Sequence, residues 1–125
     1  MTSVVIHTKH IAPSQNGCYR NVPKIGRAKT KRYREWAAAA GWDMKGKGSV
    51  KGPYVLTITI DRAKRHRLSD IMNREKVVSD LLQEHGIIEN DNLCERGTVQ
   101  WGEADGGMVV TVEEYRGNAD SEAQE

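Results

Sequence analysis

The chain has 125 residues, which is enough for one domain with a single hydrophobic core. It contains no Phe, so that core must be built from Val, Ile, Leu, Met, Tyr and Trp. No apolar run approaches the ~18 residues that a membrane-spanning helix needs, and the first residues lack the basic segment of a signal peptide. We therefore expect a cytoplasmic protein without a membrane partner, in which Cys18 and Cys94 are reduced thiols.

The net charge of +2 hides a strong asymmetry along the chain. Residues 1–69 carry 15 Lys and Arg against 3 Asp and Glu, whereas residues 70–125 carry 4 against 14. A basic half of this kind favours a polyanion as the partner. The alternative is that the two halves neutralise each other, either within one fold or across a dimer.

The N-terminal part of the chain predicts a strand, a long loop and a helix. Residues 3–7 have the β-branched centre of a short strand. Residues 8–26 contain two prolines and two glycines and predict an ordered loop. Residues 27–40 have high helix propensity, and Gly41 is a natural residue to end that helix. Within the loop, Tyr19 and Arg20 are suited to contact the sugar and phosphate of a nucleic acid.

The next part of the chain predicts a strand and a second helix. Residues 42–52 read as a loop, and the apolar alternation of residues 54–61 indicates the clearest strand in the sequence. A basic cluster at residues 62–68 then leads into a helix that we expect to be capped by Ser69 or a neighbour and to end near His85.

Two further strands complete the prediction. Residues 89–92 form an acidic turn, and residues 97–102 and 107–115 read as strands joined in a hairpin. The sequence therefore predicts an α/β domain of the α+β kind at residues 1–117, with a mixed sheet of about four strands and two main helices packed on it. The polar residues 118–125 predict a disordered tail.

The second predicted helix carries the strongest candidate site. If the helix starts at Asp70, then Asn73, Lys76 and Asp80 form one polar row, and Asp70 lies where that row meets the apolar face. Met72 lies among these polar neighbours and is out of pattern. The apolar face of the helix consists of Ile71, Val77, Val78, Leu81 and Leu82.

Carboxylates on different segments are what metal-assisted cleavage of a phosphodiester requires. Asp70 and Asp91 could bind Mg²⁺ together, and Lys76 could offset charge that builds on the phosphate. The alternative is that Asp70 only satisfies the helix dipole and that Asp91 is an ordinary turn residue.

The basic residues occur in two clusters, which indicates a nucleic-acid surface. A solvated helix face is the alternative for any single lysine. The residues that we expect to contact nucleic acid are Tyr19, Arg20, Lys24, Arg27, Lys29, Lys31, Arg32, Arg62, Lys64, Arg65 and Arg67.

Residues 70–76, with the sequence DIMNREK, resemble the D-x-D-N-x-x-K motif of the RusA family of Holliday junction resolvases. A basic run before the motif, a D-x-L segment after it, and a later glycine followed by two apolar residues and an acidic pair are matched at residues 62–67, 80–82 and 86–91. Residues 13–20, PSQNGCYR, are similar to the P-S-x-N-x-x-Y-R segment of that family. The match spans most of residues 3–115.

The resemblance implies a small homodimeric α/β endonuclease, commonly encoded by bacterial prophages. Such an enzyme cuts four-way DNA junctions by paired nicks and needs Mg²⁺ or Mn²⁺. Carried over one residue at a time, the first aspartate of the motif is Asp70, the asparagine is Asn73, the lysine is Lys76 and the later acidic metal ligand is Asp91.

The second aspartate of the motif corresponds to Met72, which cannot bind Mg²⁺ as a carboxylate does. Glu75 and Asp80 are candidate substitutes. Two functions follow: a junction-resolving nuclease, weakened at this position, or a junction-binding protein that has lost cleavage. A protein-binding adaptor that uses the acidic half is a third hypothesis.

Overall fold

β4 (Tyr54–Asp61) is an inner strand of the main sheet, and every second side chain of it is buried. β6 (Met108–Glu114) pairs antiparallel with β4 on one side, and β5 (Cys94–Gly102) pairs parallel with it on the other. β1 (Ser3–Thr8) pairs antiparallel with β6, so the order of the sheet is β1-β6-β4-β5. The mixed four-stranded sheet predicted from the sequence is confirmed in this computed structural model, which describes residues 2–68 and 70–117.

The predicted hairpin between the last two strands is wrong, because β4 lies between β5 and β6. β6 buries Met108, Val110 and Val112 and therefore takes an inner position, whereas β5 buries only Val99 and lies at the edge. The two strands are separated by a loop that crosses the end of β4.

The long loop predicted at residues 8–26 contains a second, two-stranded sheet. β2 (Tyr19–Val22) and β3 (Gly26–Lys29) pair antiparallel and form a hairpin. Residues 27–29 thus belong to a strand and not to the first helix, because cross-strand pairing outweighs their helix propensity. Other parts of this loop, residues 9–14, have no regular structure.

The first helix, α1 (Lys31–Met44), begins after Thr30, whose hydroxyl accepts a hydrogen bond from the N–H of Tyr33. The helix does not end at Gly41 but continues through it. A Cβ at Gly41 would lie 2.9 Å from His85 Nε2. Gly41 therefore lies where the imidazole of His85 approaches the helix, and it does not mark the end of the helix.

The second helix, α2 (Glu75–Glu84), begins later than predicted. A short 3₁₀ turn at Met72–Arg74 precedes it, and Asn73 in that turn has non-helical angles (φ −86°, ψ 18°). Asp70 lies before the turn, so the expected position of Asp70 on a continuous helix is wrong. Ser69, named as the cap, lies outside the described residues.

One hydrophobic cluster joins the buried face of the main sheet to both helices. α1 contributes Tyr33, Trp36 and Ala40, which are buried, and Ala37, which is partly buried against the cluster. α2 contributes four of the five apolar residues assigned to its buried face, Val77, Val78, Leu81 and Leu82, and the fifth, Ile71, is buried just before the helix. Neither helix is long and apolar enough to cross a membrane. The tail predicted at residues 118–125 lies outside the described residues.

Candidate active site and nucleic-acid interface

Lys76 joins two carboxylates that come from different segments. Its Nζ lies 3.0 Å from Asp80 Oδ1, one turn further along α2, and 3.1 Å from Asp91 Oδ2 in the turn Asp91–Leu93. Hydrogen bonds to Asp80 and then to Asp91 outweigh partial burial and raise the pKa of Lys76 above its ordinary value. The lysine is therefore a fixed positive charge, suited to offset negative charge on a phosphate.

Asp91 is positioned by hydrogen bonds around its own turn. The side chain of Asn90 accepts from Asn92 N (3.0 Å) and caps the turn, while Asp91 N donates to Gln83 Oε1 on α2 (3.2 Å). The end of α2 and the following turn therefore hold Asp91 beside Lys76.

Tyr19 connects the β2–β3 hairpin to this cluster, since its hydroxyl donates a hydrogen bond to Asp80. Burial, and then that hydrogen bond, raise the pKa of Tyr19 above its ordinary value, so the phenol stays protonated as a donor. The sequence indicated Tyr19 as a nucleic-acid contact. In the structure its hydroxyl binds Asp80, and its ring lies 5.0 Å from the guanidinium carbon of Arg27.

Asp70 is less tightly held than Asp91. Its carboxylate is exposed, and Oδ1 accepts a hydrogen bond from Met72 N (3.0 Å). Among the ion pairs found in residues 2–68 and 70–117, none includes Asp70. The structure thus brings Lys76 and Asp91 together but does not join Asp70 to them by a side-chain contact.

Arg74 is a site residue that the sequence reasoning missed. It is 7% exposed, and its guanidinium donates to the backbone oxygens of Ala12 (Nη1, 2.6 Å) and Asp70 (Nε, 3.2 Å). It therefore ties the segment of Asp70 to the loop before β2. The pattern gave no signal for this role, because arginines are mostly exposed and act at the surface.

Asn73 makes a second contact between the same two segments. Its Nδ2 donates to Ser14 Oγ (2.9 Å), and its buried Oδ1 has no hydrogen-bond partner among the described residues. Residues 13–20 and 70–76, which carry most of the family resemblance, therefore meet in space. A buried amide oxygen without a partner is costly unless a ligand completes it.

The donor chemistry fits Mg²⁺, although the number of acidic donors is small. Asp70, Asp91 and Asn73 Oδ1 are oxygen donors, and Mg²⁺ is commonly held by one or two carboxylates with water and substrate phosphate. Within the described ranges, no group of three or more His, Cys, Asp or Glu is placed to hold a metal ion.

The position expected to supply another carboxylate supplies none. Met72 is 63% exposed and offers only a thioether. Of the two candidate substitutes, Asp80 contacts Lys76, whereas Glu75 accepts a hydrogen bond from Ser79 on its own helix (2.7 Å). Of the two, only Asp80 lies in the cluster with Lys76 and Asp91.

No protein-family model and no curated protein matches this chain. The resemblance to the RusA family therefore rests on the motif residues themselves.

The predicted nucleic-acid residues are mostly on the surface. Lys29 is half-buried and pairs with Glu84. In the part of the chain that the structure describes, this is the only ion pair between the basic and the acidic half. Internal neutralisation of the two halves is therefore slight. The residues that are exposed are Arg20, Lys24, Arg27, Lys31, Arg32, Arg62, Arg65 and Arg67.

Proposed function

We propose that the protein is a metal-dependent endodeoxyribonuclease that resolves four-way DNA junctions by paired hydrolysis of phosphodiesters. The observation that carries this proposal is the cluster of Lys76, Asp80 and Asp91: Lys76 belongs to one motif-bearing segment, and Tyr19 of the other contacts Asp80. A fixed cation next to carboxylates, beside a surface of exposed Arg and Lys, suits phosphodiester chemistry.

Each residue has a distinct role in this proposal. Asp70 and Asp91 would hold Mg²⁺ or Mn²⁺, and Asn73 Oδ1 is available to the same ion or to its water. When bound, the ion would polarise the scissile phosphate and lower the pKa of an attacking water. Lys76 keeps its proton and stabilises negative charge on the phosphate oxygens.

The exposed basic residues would neutralise DNA phosphates on either side of the site. Binding that depends on phosphate neutralisation releases counterions, so the affinity falls steeply as salt rises. Paired nicks require two active sites, so the proposal includes a homodimer. The family resemblance adds a cytoplasmic location and a bacterial or prophage origin to the proposal. Sedimentation of the purified chain measures the oligomeric state, and a monomer at all concentrations would contradict paired nicking.

A second candidate function is junction binding without cleavage. It is favoured by Met72, which adds no oxygen donor, and by Lys76, whose ammonium already pairs with both Asp80 and Asp91. The basic surface supports both candidates equally, because phosphate contacts are indifferent to the chemistry that follows.

The test compares an end-labelled four-way junction with a linear duplex of the same sequence. We expect tighter binding to the junction, an affinity that falls with salt, and nicks that appear with Mg²⁺ or Mn²⁺ and disappear with EDTA. Junction binding without nicks supports the second candidate. Binding that is absent or insensitive to salt contradicts both and favours a protein-binding adaptor.

A matched pair of charge variants sharpens this test. Arg67→Gln removes a charge from the predicted interface. It should weaken junction binding several-fold, which is about the loss expected when one phosphate contact is removed. Lys47→Gln removes the same charge from an exposed loop that is not assigned to the interface, and should leave the affinity unchanged. Equal losses in the two variants would mean that net charge alone governs binding.

A further inference from the structure

The β2–β3 hairpin presents an apolar residue at its tip. Ile25 lies between the two strands and is 78% exposed, the largest exposed fraction among the large hydrophobic side chains of the described residues. A single exposed apolar residue is ordinary on a protein surface. Ile25 differs from such a residue in two ways: it lies at the end of a tight turn, and the charged residues of its hairpin are basic.

A tight turn holds the tip in one conformation. Ile25 N donates to Val22 O (3.1 Å) across Pro23 and Lys24, and Lys24 has φ 66°. Proline at the second position and a positive φ at the third are features of a type II turn. Ile25 is therefore displayed by a turn whose first dihedral is fixed by the proline ring.

The charged residues of the hairpin itself are all cationic. Arg20, Lys24 and Arg27 are exposed on the hairpin, and residues 1–34 contain no Asp or Glu. An apolar tip among guanidinium and ammonium groups is complementary to DNA, which has phosphates on the outside and stacked bases on the inside. Branched DNA has this arrangement, and its stack is interrupted at the branch point.

The base of the hairpin is anchored next to the candidate active site. Thr30 N donates to Cys18 O (2.9 Å) and Thr30 Oγ1 donates to Gly17 O (2.7 Å), which closes the base. Tyr19 then links the first strand to Asp80. At ~3.3 Å per residue, the tip lies roughly 10–13 Å from Tyr19. A contact at the tip would therefore stand at a fixed distance from Lys76.

We propose that Ile25 is a wedge that inserts between base pairs at the branch point, while Arg20, Lys24 and Arg27 hold the adjacent phosphates. Proteins that kink DNA use apolar side chains in this way, and unstacking costs less where the stack is already broken. The wedge would make the hairpin the element that distinguishes branched from linear DNA. This inference rests on the proposed binding of branched DNA.

The test uses a four-way junction with 2-aminopurine beside the branch point, in EDTA so that nothing is cut. The fluorescence of 2-aminopurine rises when the base unstacks. We expect the parent protein to raise it, Ile25→Leu to preserve the rise, and Ile25→Ser to abolish it. Ile25→Ser should also lower the preference for junction over duplex by about tenfold. Val5→Ser, at an exposed position of β1, is the control and should behave as the parent.

The outcomes separate this inference from the function on which it rests. A parent protein that does not bind the junction removes the proposed function, and the wedge with it. Tight junction binding with no rise, or with an undiminished rise for Ile25→Ser, overturns the wedge and leaves DNA binding intact. Circular dichroism of each variant verifies that the hairpin substitutions leave the fold unchanged.

Discussion

The two parts of the candidate site differ in how firmly the protein holds them. On α2 and the turn after it, Lys76, Asp80 and Asp91 are joined by ion pairs of 3.0 and 3.1 Å. On the segment before α2, the carboxylate of Asp70 is exposed, and the adjacent Met72 is 63% exposed. The first part is therefore organised without a ligand. The second, which we call the open part, is the segment between β4 and α2 that carries Asp70 and Met72.

The difference follows from what anchors each part. α2 is held by four buried apolar side chains on one face, which fix the direction of its polar face. In the segment before α2, Ile71 is the one buried side chain among residues 62–68 and 70–73. Polar contacts lie at both ends of this segment: Asp61 accepts from Ala63 N at the start, and Arg74 donates to the Asp70 oxygen just after it. We infer that a bound metal or DNA would rearrange this second part more than the first, whose three charged side chains already contact one another.

Loss of a carboxylate is the largest effect that we predict. Asp70→Asn and Asp91→Asn should each lower junction cleavage by ~100-fold or more, since each removes a proposed metal ligand. Of these two variants, Asp91→Asn should also lower the melting temperature, because Asp91 is paired with Lys76 and Asp70 is not. Single-turnover cleavage and thermal unfolding measure the two effects.

Asp105→Asn serves as the control for both variants, because it removes an exposed carboxylate that is not assigned to the site. Undiminished nicking by either site variant would rule out the assignment of that residue. Equal melting temperatures for the two site variants would show that the ion pair between Lys76 and Asp91 does not stabilise the fold.

The next largest effect concerns Arg74, which connects the open part to the rest of the fold. Arg74→Met keeps most of the volume but leaves the backbone oxygens of Ala12 and Asp70 without their donor. The variant should lose about 1–3 kcal/mol of unfolding free energy, as measured by urea denaturation. Arg67→Met, at an exposed position, should change stability by no more than ~0.5 kcal/mol. Similar values for the two variants would mean that the guanidinium contacts contribute no stability.

Short-range patterns explain what the sequence could predict. The alternation in β4 and the apolar face of α2 depend on residues two to four positions apart, so both were located correctly. The contact of Lys76 with Asp80 follows from the same spacing on a helix.

The features that were missed depend on contacts between distant residues. Nothing local shows that β6 rather than β5 lies between β4 and β1, because strand order follows from which strand buries more. The start of α2 was placed near Asp70 because Ser69 or a neighbour was expected to cap the helix, yet Arg74 reaches back to Ala12 and the chain forms a 3₁₀ turn there. Tertiary contacts outweighed the local pattern at both places.

A smaller effect is expected when a carboxylate is added to the open part. Met72→Asp should bind Mn²⁺ about tenfold more tightly and cut junctions correspondingly faster, because it adds an oxygen donor next to Asp70. Titration calorimetry without DNA measures the affinity, and a cleavage assay measures the rate. Met72→Leu is the control for side-chain replacement. A Met72→Asp variant no faster than the parent with either metal would show that position 72 does not face the ion.

The smallest effect concerns Asp61, where the open part begins. Its carboxylate accepts hydrogen bonds from the N–H groups of Gly106 (2.7 Å), Ala63 (2.8 Å) and Ala104 (3.2 Å). These bonds, led by that from Gly106, lower the pKa of Asp61 below its ordinary value of 3.8. As the pH falls, the unfolded chain takes up this proton before the folded chain does. The stability that Asp61 supplies is therefore present above about pH 4 and is lost as the pH falls through the lower folded pKa.

Asp61→Asn tests this dependence, because the amide does not titrate and cannot accept at its nitrogen. The variant should melt slightly below the parent at neutral pH, and calorimetry should show the difference shrinking below about pH 4. Asp43→Asn, which removes a carboxylate from α1, controls for the change in net charge. A difference that stays constant into the acid range would mean that the Asp61 carboxylate does not anchor this segment. The open part of the site would then be fixed mainly by Arg74, and the contrast with α2 would be greater still.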